Sequence, residues 1–156
     1  MVERIVRAAQ AAPNHRKTRP LRVAVLQGAS RLDFGATVAA VMEARGEDAA
    51  KVDKTRTKYG RAPVVLVVAS APGASALETA ENSYAVAAGI QNMLLMIEAF
   101  GLTALWSTPA TGAEAETNSF CGFPEGTAPI GLVYLGHGTR DTPAKDRPEP
   151  VVTWLD

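Results

Sequence analysis

The sequence is poor in the residue types that most often build catalytic and metal sites. It contains one cysteine, Cys121, and two histidines, His15 and His137. A single cysteine excludes an intramolecular disulfide and a cysteine-rich zinc site, and the two histidines fit no metal-ligand spacing. Cys121 lies between Phe120 and Gly122 in an apolar setting, which favours a buried structural thiol over a nucleophile.

An excess of positive charge is also missing. Sixteen Lys and Arg residues balance sixteen Asp and Glu residues, so the formal net charge is zero. This balance argues against a general binder of nucleic acids or membrane surfaces, which needs net positive charge. Residues 1–7 are charged and contain no long apolar run, so we expect no signal peptide and a cytoplasmic protein without nucleic-acid or membrane partners.

The basic residues are unevenly distributed along the chain. Residues 1–31 contain seven Lys and Arg residues and one acidic residue, whereas residues 62–139 contain no Lys or Arg. The charge of an anionic ligand must therefore be met by the first third of the chain, by residues 140–147, or by backbone amides. Basic residues that only solvate the surface explain the same pattern, so charge alone leaves both interpretations open.

Alternating helix and strand patterns predict one domain over residues 1–156, of the α/β or α+β class, with helices on both faces of one sheet. The predicted helices cover residues 2–12, 31–45, 48–58, 81–100 and 113–120, and the predicted strands cover residues 21–26, 64–69, 102–106 and 130–135. Residues 151–154 are a further candidate strand or clamp. The helix over residues 81–100 is apolar nearly all round, which predicts burial in the core or in a subunit interface.

The common catalytic and nucleotide-binding motifs are absent. The chain has no GxxxxGK[ST] phosphate loop, no GxGxxG dinucleotide fingerprint and no GxSxG nucleophile elbow. No pair of residues resembles an acid–base dyad. If the protein is an enzyme, a cofactor is therefore expected to carry the chemistry.

Five segments in order, spread over almost the whole chain, share the pattern of one known family. They are residues 11–20 (AAPNHRKTRP), residues 58–63 (KYGRAP), residues 84–102 with Trp106, residues 120–126 with residues 130–136, and residues 145–148 with residues 151–154. No single segment is specific, but their order and spacing together resemble the flavin-dependent nitroreductases, and in particular the small members of that family.

The resemblance implies an α+β fold, a three-layer α-β-α sandwich around a mixed or antiparallel sheet. It also implies a homodimer that binds FMN at the dimer interface, with residues from both chains in each site. NADH or NADPH would reduce the flavin in such an enzyme. The reduced flavin would then pass electrons to a nitro compound, a quinone or a similar small-molecule acceptor in a ping-pong reaction.

The resemblance assigns two groups of residues to the flavin ring. His15 and Arg19 match positions that contact the flavin, and Arg19 near the N1–C2 edge would stabilise the anionic reduced form. Trp106, Ser107 and Thr108 match the segment that runs beside the isoalloxazine ring. A local backbone cap for His15 and core filling for Trp106 remain open as simpler interpretations.

The resemblance assigns the FMN phosphate to a cationic pair, Lys145 and Arg147, although a solvated tail explains these charges equally well. Family members usually begin with a further helix that carries an RRSxR-like phosphate motif. Arg4 and Arg7 do not match that motif, and Leu21 replaces the usual tryptophan. Other basic residues would then compensate, or FMN would bind weakly, or the flavin site would be degenerate.

Three functional hypotheses remain open from the sequence. The first is an FMN-dependent NAD(P)H oxidoreductase of the nitroreductase type. The second is a shortened form of the fold that sequesters flavin or another nucleotide without turnover. The third is a flavin-free dimer that keeps only the fold, because fold alone does not determine function.

Overall fold

The computed structural model describes residues 1–138 and 146–155, whose strands form one antiparallel sheet. The strands are β1 (Leu21–Gln27), β2 (Val64–Ser70), β3 (Thr103–Ser107) and β4 (Ala128–Gly136), in the spatial order β1-β2-β4-β3. Every neighbouring pair in this sheet is antiparallel. The fold is therefore α+β, and the α/β alternative is wrong.

Helices cover both faces of the sheet, which confirms the three-layer sandwich. They are α1 (Val2–Ala9), α2 (Ser30–Ala44), α3 (Ala49–Lys58), α4 (Ala76–Ala99) and α5 (Glu114–Cys121). One face of the sheet packs against α1 and α4, and the other packs against α2, α3 and α5. The central strand β2 is buried on both faces, as its continuous apolar run predicts.

Helix α4 begins five residues before the predicted start at Glu81. The Ser75 side chain accepts a hydrogen bond from the Glu78 amide at 3.2 Å, which caps the first turn. At the other end, the Gly101 amide donates to the Glu98 carbonyl and the Leu102 amide donates to the Ile97 carbonyl. This pair of bonds is a Schellman motif, and Gly101 adopts the left-handed φ of 69° that the motif requires.

Within one chain, α4 is buried on one face only. Its inner face packs Val86, Ile90 and Met93 into the core, but its outer face exposes Tyr84 by 72% and Leu95 by 60%. We call the exposed row the α4 stripe; it consists of Tyr84, Ala88, Gln91 and Leu95. The sheet covers only one side of the helix, so the core accounts for its inner face, and burial of the outer face in a subunit interface stays a prediction.

Two further expectations concern the chain ends and membranes. Residues 151–154 are exposed and form no strand, so the candidate strand there is wrong for this chain. Within residues 1–138 and 146–155, no helix combines the length and apolar character that crossing a bilayer requires.

Candidate functional site

The segment between α1 and β1, residues 14–19, has an unusual backbone and is called the basic loop. Arg16, Lys17 and Arg19 have φ values of 56°, 55° and 51°, the left-handed region that side chains other than glycine rarely adopt. Each such residue costs about 1–3 kcal/mol of strain and persists only where the surroundings impose the conformation. The basic loop must therefore be held by specific contacts.

Those contacts join the basic loop to α4. The Arg19 amide donates to Asn14 Oδ1 at 2.8 Å, and Asn14 Nδ2 donates to Thr18 Oγ1 at 3.0 Å. The Thr18 hydroxyl donates in turn to Asn82 Oδ1 at 2.5 Å. Asn82 is 2% exposed on α4, and its amide donates to the Ala71 carbonyl at 3.3 Å. We call this chain of hydrogen bonds the loop clasp.

Sequence reasoning missed the loop clasp. Asn82 has a visible signal in the sequence, because it is a polar residue inside a helix that is otherwise mostly apolar. A buried amide must find hydrogen-bond partners, so such a position points to a polar contact. The sequence does not say which loop supplies the partner.

Replacing Thr18 with valine tests the loop clasp. The change keeps the side-chain shape but leaves the buried Asn82 oxygen without its donor, which costs about 1–3 kcal/mol of local stability. We expect trypsin to cleave the folded Thr18→Val variant after Arg16 and Lys17 about tenfold faster than it cleaves the folded wild-type protein. Limited proteolysis followed by mass spectrometry of the fragments measures the rate.

Thr79→Val is the matched control for this experiment. The Thr79 hydroxyl accepts a hydrogen bond from the Gly73 amide at 2.9 Å, so it also ties a loop to α4, but not the basic loop. Cleavage at Arg16 and Lys17 should therefore stay at the wild-type rate in Thr79→Val. Equal acceleration in both variants would show that Thr18 does not hold the basic loop specifically.

Trp106 lies on the edge strand β3 and covers a glycine of the next strand. Its register partner is Val133, which belongs to the α4 side of the core. A Cβ on Gly131 would lie 2.3 Å from Trp106 Nε1, so the indole occupies the space that a side chain at residue 131 would take. Trp106 is nevertheless 39% exposed. The indole both packs against the sheet and presents aromatic surface.

The two groups of predicted ring contacts lie apart within one chain. His15 and Arg19 are exposed in the basic loop, while Ser107 is half-buried and Thr108 exposed at the end of β3. The basic loop precedes β1, which is one edge strand, and β3 is the other edge strand. Three strand spacings separate the edges, which amounts to roughly 14 Å. The pairing registers place both groups toward the same end of the sheet.

The predicted phosphate pair is described only in part. Lys145 lies outside the described residues. Arg147 is in the exposed segment 146–155 and forms no ion pair with any residue that the structure describes.

Cys121 ends α5 and is half-buried against the α2 side of the core. Burial raises the pKa of its thiol to about 11, so the thiolate is scarce at neutral pH. A scarce thiolate favours the structural interpretation over a nucleophile. Among the described residues, no group of three or more His, Cys, Asp or Glu side chains is placed to hold a metal ion.

Comparison with known proteins identifies the relatives of this chain. The model of the nitroreductase family matches residues 1–137. The protein named "Putative NAD(P)H nitroreductase YdjA" from Escherichia coli strain K12 is 26% identical over 136 residues, which cover 86% of this chain and 74% of that protein.

Solved structures of nitroreductases share the fold. A nitroreductase-like family protein from Bacillus cereus has a TM-score of 0.78 at 19% identity, covering 95% of this chain and 79% of that one. A nitroreductase with bound FMN from Bacteroides fragilis has a TM-score of 0.75 at 17% identity, covering 99% and 86% of the two chains. At sequence identities below 20%, this structural similarity shows that the fold is shared and no more than that.

Proposed function

The chain belongs to the nitroreductase family, and from that we propose that it is an FMN-dependent NAD(P)H oxidoreductase. Its acceptor would be a small molecule such as a nitro compound or a quinone, reduced in a ping-pong reaction. The family match over residues 1–137 carries the proposal. Two relatives support it by name, since one is called an NAD(P)H nitroreductase and another was solved with FMN.

The residues present fit a flavin mononucleotide. Such a ligand needs an aromatic or apolar surface for its flat ring and cations for its phosphate and its reduced ring. Trp106 offers a half-exposed indole at the edge of the sheet. Arg16, Lys17 and Arg19 form no ion pair with any carboxylate of the described residues, so their charge is available to an anion.

We propose that the functional protein is a homodimer in which each site takes residues from both chains. Separation of the basic loop from Trp106 by the width of the sheet supports this, because the two groups would meet at one flavin when each comes from a different chain. The exposed α4 stripe and the C-terminal segment, with Trp154 88% and Leu155 91% exposed, offer apolar surface that a partner would cover.

The side chains would hold and orient rather than transfer protons. Arg19, with His15 beside it, would lie at the flavin edge and stabilise negative charge there. Ser107 and Thr108 would border the ring, and the tail cations Lys145 and Arg147 would bind the phosphate. Bound flavin would supply the redox chemistry, accepting hydride from NADH or NADPH and passing electrons to the acceptor.

A visible absorption spectrum of the full chain tests the proposed function. We expect the protein to hold FMN, either as purified or after FMN is added, and the flavin band to bleach under anaerobic conditions when NADH or NADPH is added. Reoxidation by a nitro compound or a quinone would then identify the acceptor class. A bound flavin that neither nicotinamide reduces would instead indicate sequestration, and no binding of FMN would refute both flavin functions.

Leu95→Glu tests whether the α4 stripe forms the dimer interface. Leu95 is 60% exposed in one chain, so the substitution should leave the monomer fold intact but place a charge in the interface. We expect a monomer by light scattering, with FMN affinity lowered by about tenfold or more because each site loses its second chain.

Leu32→Glu is the control for the dimer test. Leu32 lies on α2, on the opposite side of the sheet, and is 49% exposed. This variant should keep the dimer and the flavin. Dimers of undiminished stability in Leu95→Glu would place the interface elsewhere.

A further inference from the structure

A cavity on the α2 side of the sheet has no role in the proposed flavin chemistry. It has a volume of about 550 Å³ and is bordered by α5 and by the turn that connects α5 to β4. This volume falls within the roughly 300–1,000 Å³ that small-molecule pockets occupy. The lining residues lie within residues 114–128, and none of them belongs to the predicted flavin contacts.

The cavity is bordered by negative charge, and its lining contains no Lys or Arg. Glu114 and Glu125 line it, and neither carboxylate forms an ion pair within the described residues. The Gly112 amide donates to Glu114 Oε1 at 3.0 Å, and this bond holds the pKa of that carboxyl below its usual value. Arg45 is near Glu114, but its guanidinium donates to a backbone carbonyl at 2.7 Å. A cationic ligand would therefore meet carboxylates that the chain leaves unpaired.

Two buried oxygens of the cavity lining residues have no hydrogen-bond partner among the described residues. Asn118 is 9% exposed and Thr127 is 3% exposed, and both line the cavity. Asn118 Nδ2 donates to the Thr127 backbone carbonyl at 2.7 Å, while Asn118 Oδ1 and Thr127 Oγ1 are unpaired. Asn118 follows Glu114 by four positions on α5, so the two side chains share one face of the helix. Buried polar atoms normally have partners, so these oxygens point to a ligand that supplies the missing donors.

The chemistry of the lining defines the ligand that would complement it. The two carboxylates and the Asn118 amide oxygen only accept hydrogen bonds, and a threonine hydroxyl can also accept one. Ala115, Phe123 and Ala128 add apolar surface beside these acceptors. The complementary ligand therefore has a cationic group rich in N–H donors and an apolar body.

We propose that this cavity binds a small primary amine whose ammonium group is attached to an apolar ring or chain. The ammonium group would donate its N–H bonds to the carboxylates of Glu114 and Glu125 and to the unpaired oxygens of Asn118 and Thr127. The apolar body would pack against Phe123. The site goes beyond the proposed oxidoreductase function, because one chain forms it from residues that have no flavin role.

A metal ion matches the cavity less well than an amine. Calcium takes about six to eight oxygen ligands, most often from several carboxylates. Among the described residues, no group of three or more His, Cys, Asp or Glu side chains is placed to hold a metal ion. A metal ion would also leave the apolar surface of Phe123 without a use, whereas the body of an amine covers it.

Titration calorimetry with phenethylamine, 2-phenylethanol and methylamine tests the ligand class. The alcohol keeps the ring of phenethylamine but has no charge, whereas methylamine keeps the charge and has no ring. We expect phenethylamine to bind about tenfold or more tightly than either of them. The experiment uses the full chain, both without flavin and after loading with FMN, and phenethylamine should bind both forms equally.

Two glutamine variants form a matched pair. Glu125→Gln and Glu116→Gln each remove one negative charge from an exposed side chain and keep its shape. Glu125 lines the cavity, whereas Glu116 lies on α5 outside the lining. Phenethylamine affinity should fall about tenfold in Glu125→Gln and stay within about threefold of the wild type in Glu116→Gln.

Thr127→Val separates ligand binding from stability. Valine keeps the shape of threonine and removes only a hydroxyl that has no partner among the described residues. The midpoint of urea denaturation should therefore stay unchanged or rise, while phenethylamine affinity should fall about tenfold. A side chain with a purely structural role would not lower the affinity of a protein that is as stable as the wild type.

Ala115→Phe is an independent variant that blocks the cavity. Ala115 is exposed on α5, so the larger side chain should leave the fold intact while it fills the space that the ligand needs. We expect phenethylamine binding to be lost in a protein that is folded by circular dichroism. This variant and the comparison with 2-phenylethanol decide the question even if Thr127→Val does not fold.

Four results would overturn the proposal. Equal affinity for 2-phenylethanol and phenethylamine would remove the role of the charge, and equal losses in the two glutamine variants would remove the direct contact with Glu125. Displacement of phenethylamine by calcium chloride at constant ionic strength would reassign the cavity to a metal ion. Displacement by FMN would show that the amine binds in the flavin site.

Discussion

Replacing Tyr59 with alanine is expected to lower the free energy of unfolding by about 3–5 kcal/mol, among the largest effects of any single substitution in this chain. Tyr59 has no exposed surface and is the largest fully buried side chain in the described residues. Its ring meets the Phe34 ring edge-on at 4.9 Å and stacks on Tyr134 at 6.1 Å between centroids. Alanine would leave a cavity that α2 and the sheet cannot fill without moving.

Phenylalanine at the same position separates the ring from the hydroxyl. The Tyr59 hydroxyl is buried and has no hydrogen-bond partner among the described residues, and burial raises the pKa of this phenol well above its usual value. Removing an unpaired buried hydroxyl should leave the stability unchanged or raise it.

Urea denaturation followed by circular dichroism measures both Tyr59 variants. The midpoint should fall strongly in Tyr59→Ala and not in Tyr59→Phe. A loss of more than about 1 kcal/mol in Tyr59→Phe would show that the hydroxyl has a partner, such as a buried water. A small loss in Tyr59→Ala would show that this part of the core repacks.

Substituting Gly131 with alanine is expected to displace the Trp106 indole and to weaken the proposed flavin site. The new methyl group would lie 2.3 Å from Trp106 Nε1, which is far too close for contact, and 3.1 Å from Ile90 Cδ1, which a shift of a few tenths of an ångström would relieve. Because Ile90 is buried in the core, the more exposed Trp106 is the side chain that must move. We expect a stability loss of about 1–3 kcal/mol and a red shift of tryptophan fluorescence.

Flavin affinity reports whether the displaced indole matters for function. If Trp106 borders the flavin ring, Gly131→Ala should lower the affinity for FMN by about tenfold or more. Absorption or fluorescence titration with FMN measures this change. Wild-type affinity with a displaced indole would assign Trp106 to core filling alone.

A double-mutant cycle with Trp106→Ala provides the control. Removing the indole opens the space that the methyl group needs, so Gly131→Ala should cost much less stability in the Trp106→Ala background. An equal cost in both backgrounds would mean that the collision involves Ile90 or the backbone instead.

Most helices and strands were predictable because their signals are local. The run Val64–Ser70 is apolar at almost every position and forms a strand covered on both faces, as such runs do. Gly101 indicated the end of α4, and the Schellman motif forms at that position. The start of α4 was missed because the signal is a single capping serine, Ser75, within a stretch that resembles a loop.

The predicted site residues were found by their motif and not by their geometry. His15 and Arg19 carry a pattern that a sequence can display, whereas the left-handed backbone that positions them is not encoded in any one residue type. Asn82 accepts the hydrogen bond that holds the basic loop, but it lies 64 positions after its donor Thr18 in the sequence. No local pattern therefore connects the two residues. The role of Gly131 depends in the same way on the register between β3 and β4.

By itself, the sequence determined the family, the mixed helical and strand content, and the concentration of cations near the first strand. The tertiary structure alone decided the antiparallel strand order, the exposure of the α4 stripe, and the separation of the basic loop from Trp106 by the width of the sheet. Helix and strand periodicities repeat within a few residues, so a sequence displays them directly. Strand order and burial depend on contacts between distant segments, and only the folded chain brings those segments together.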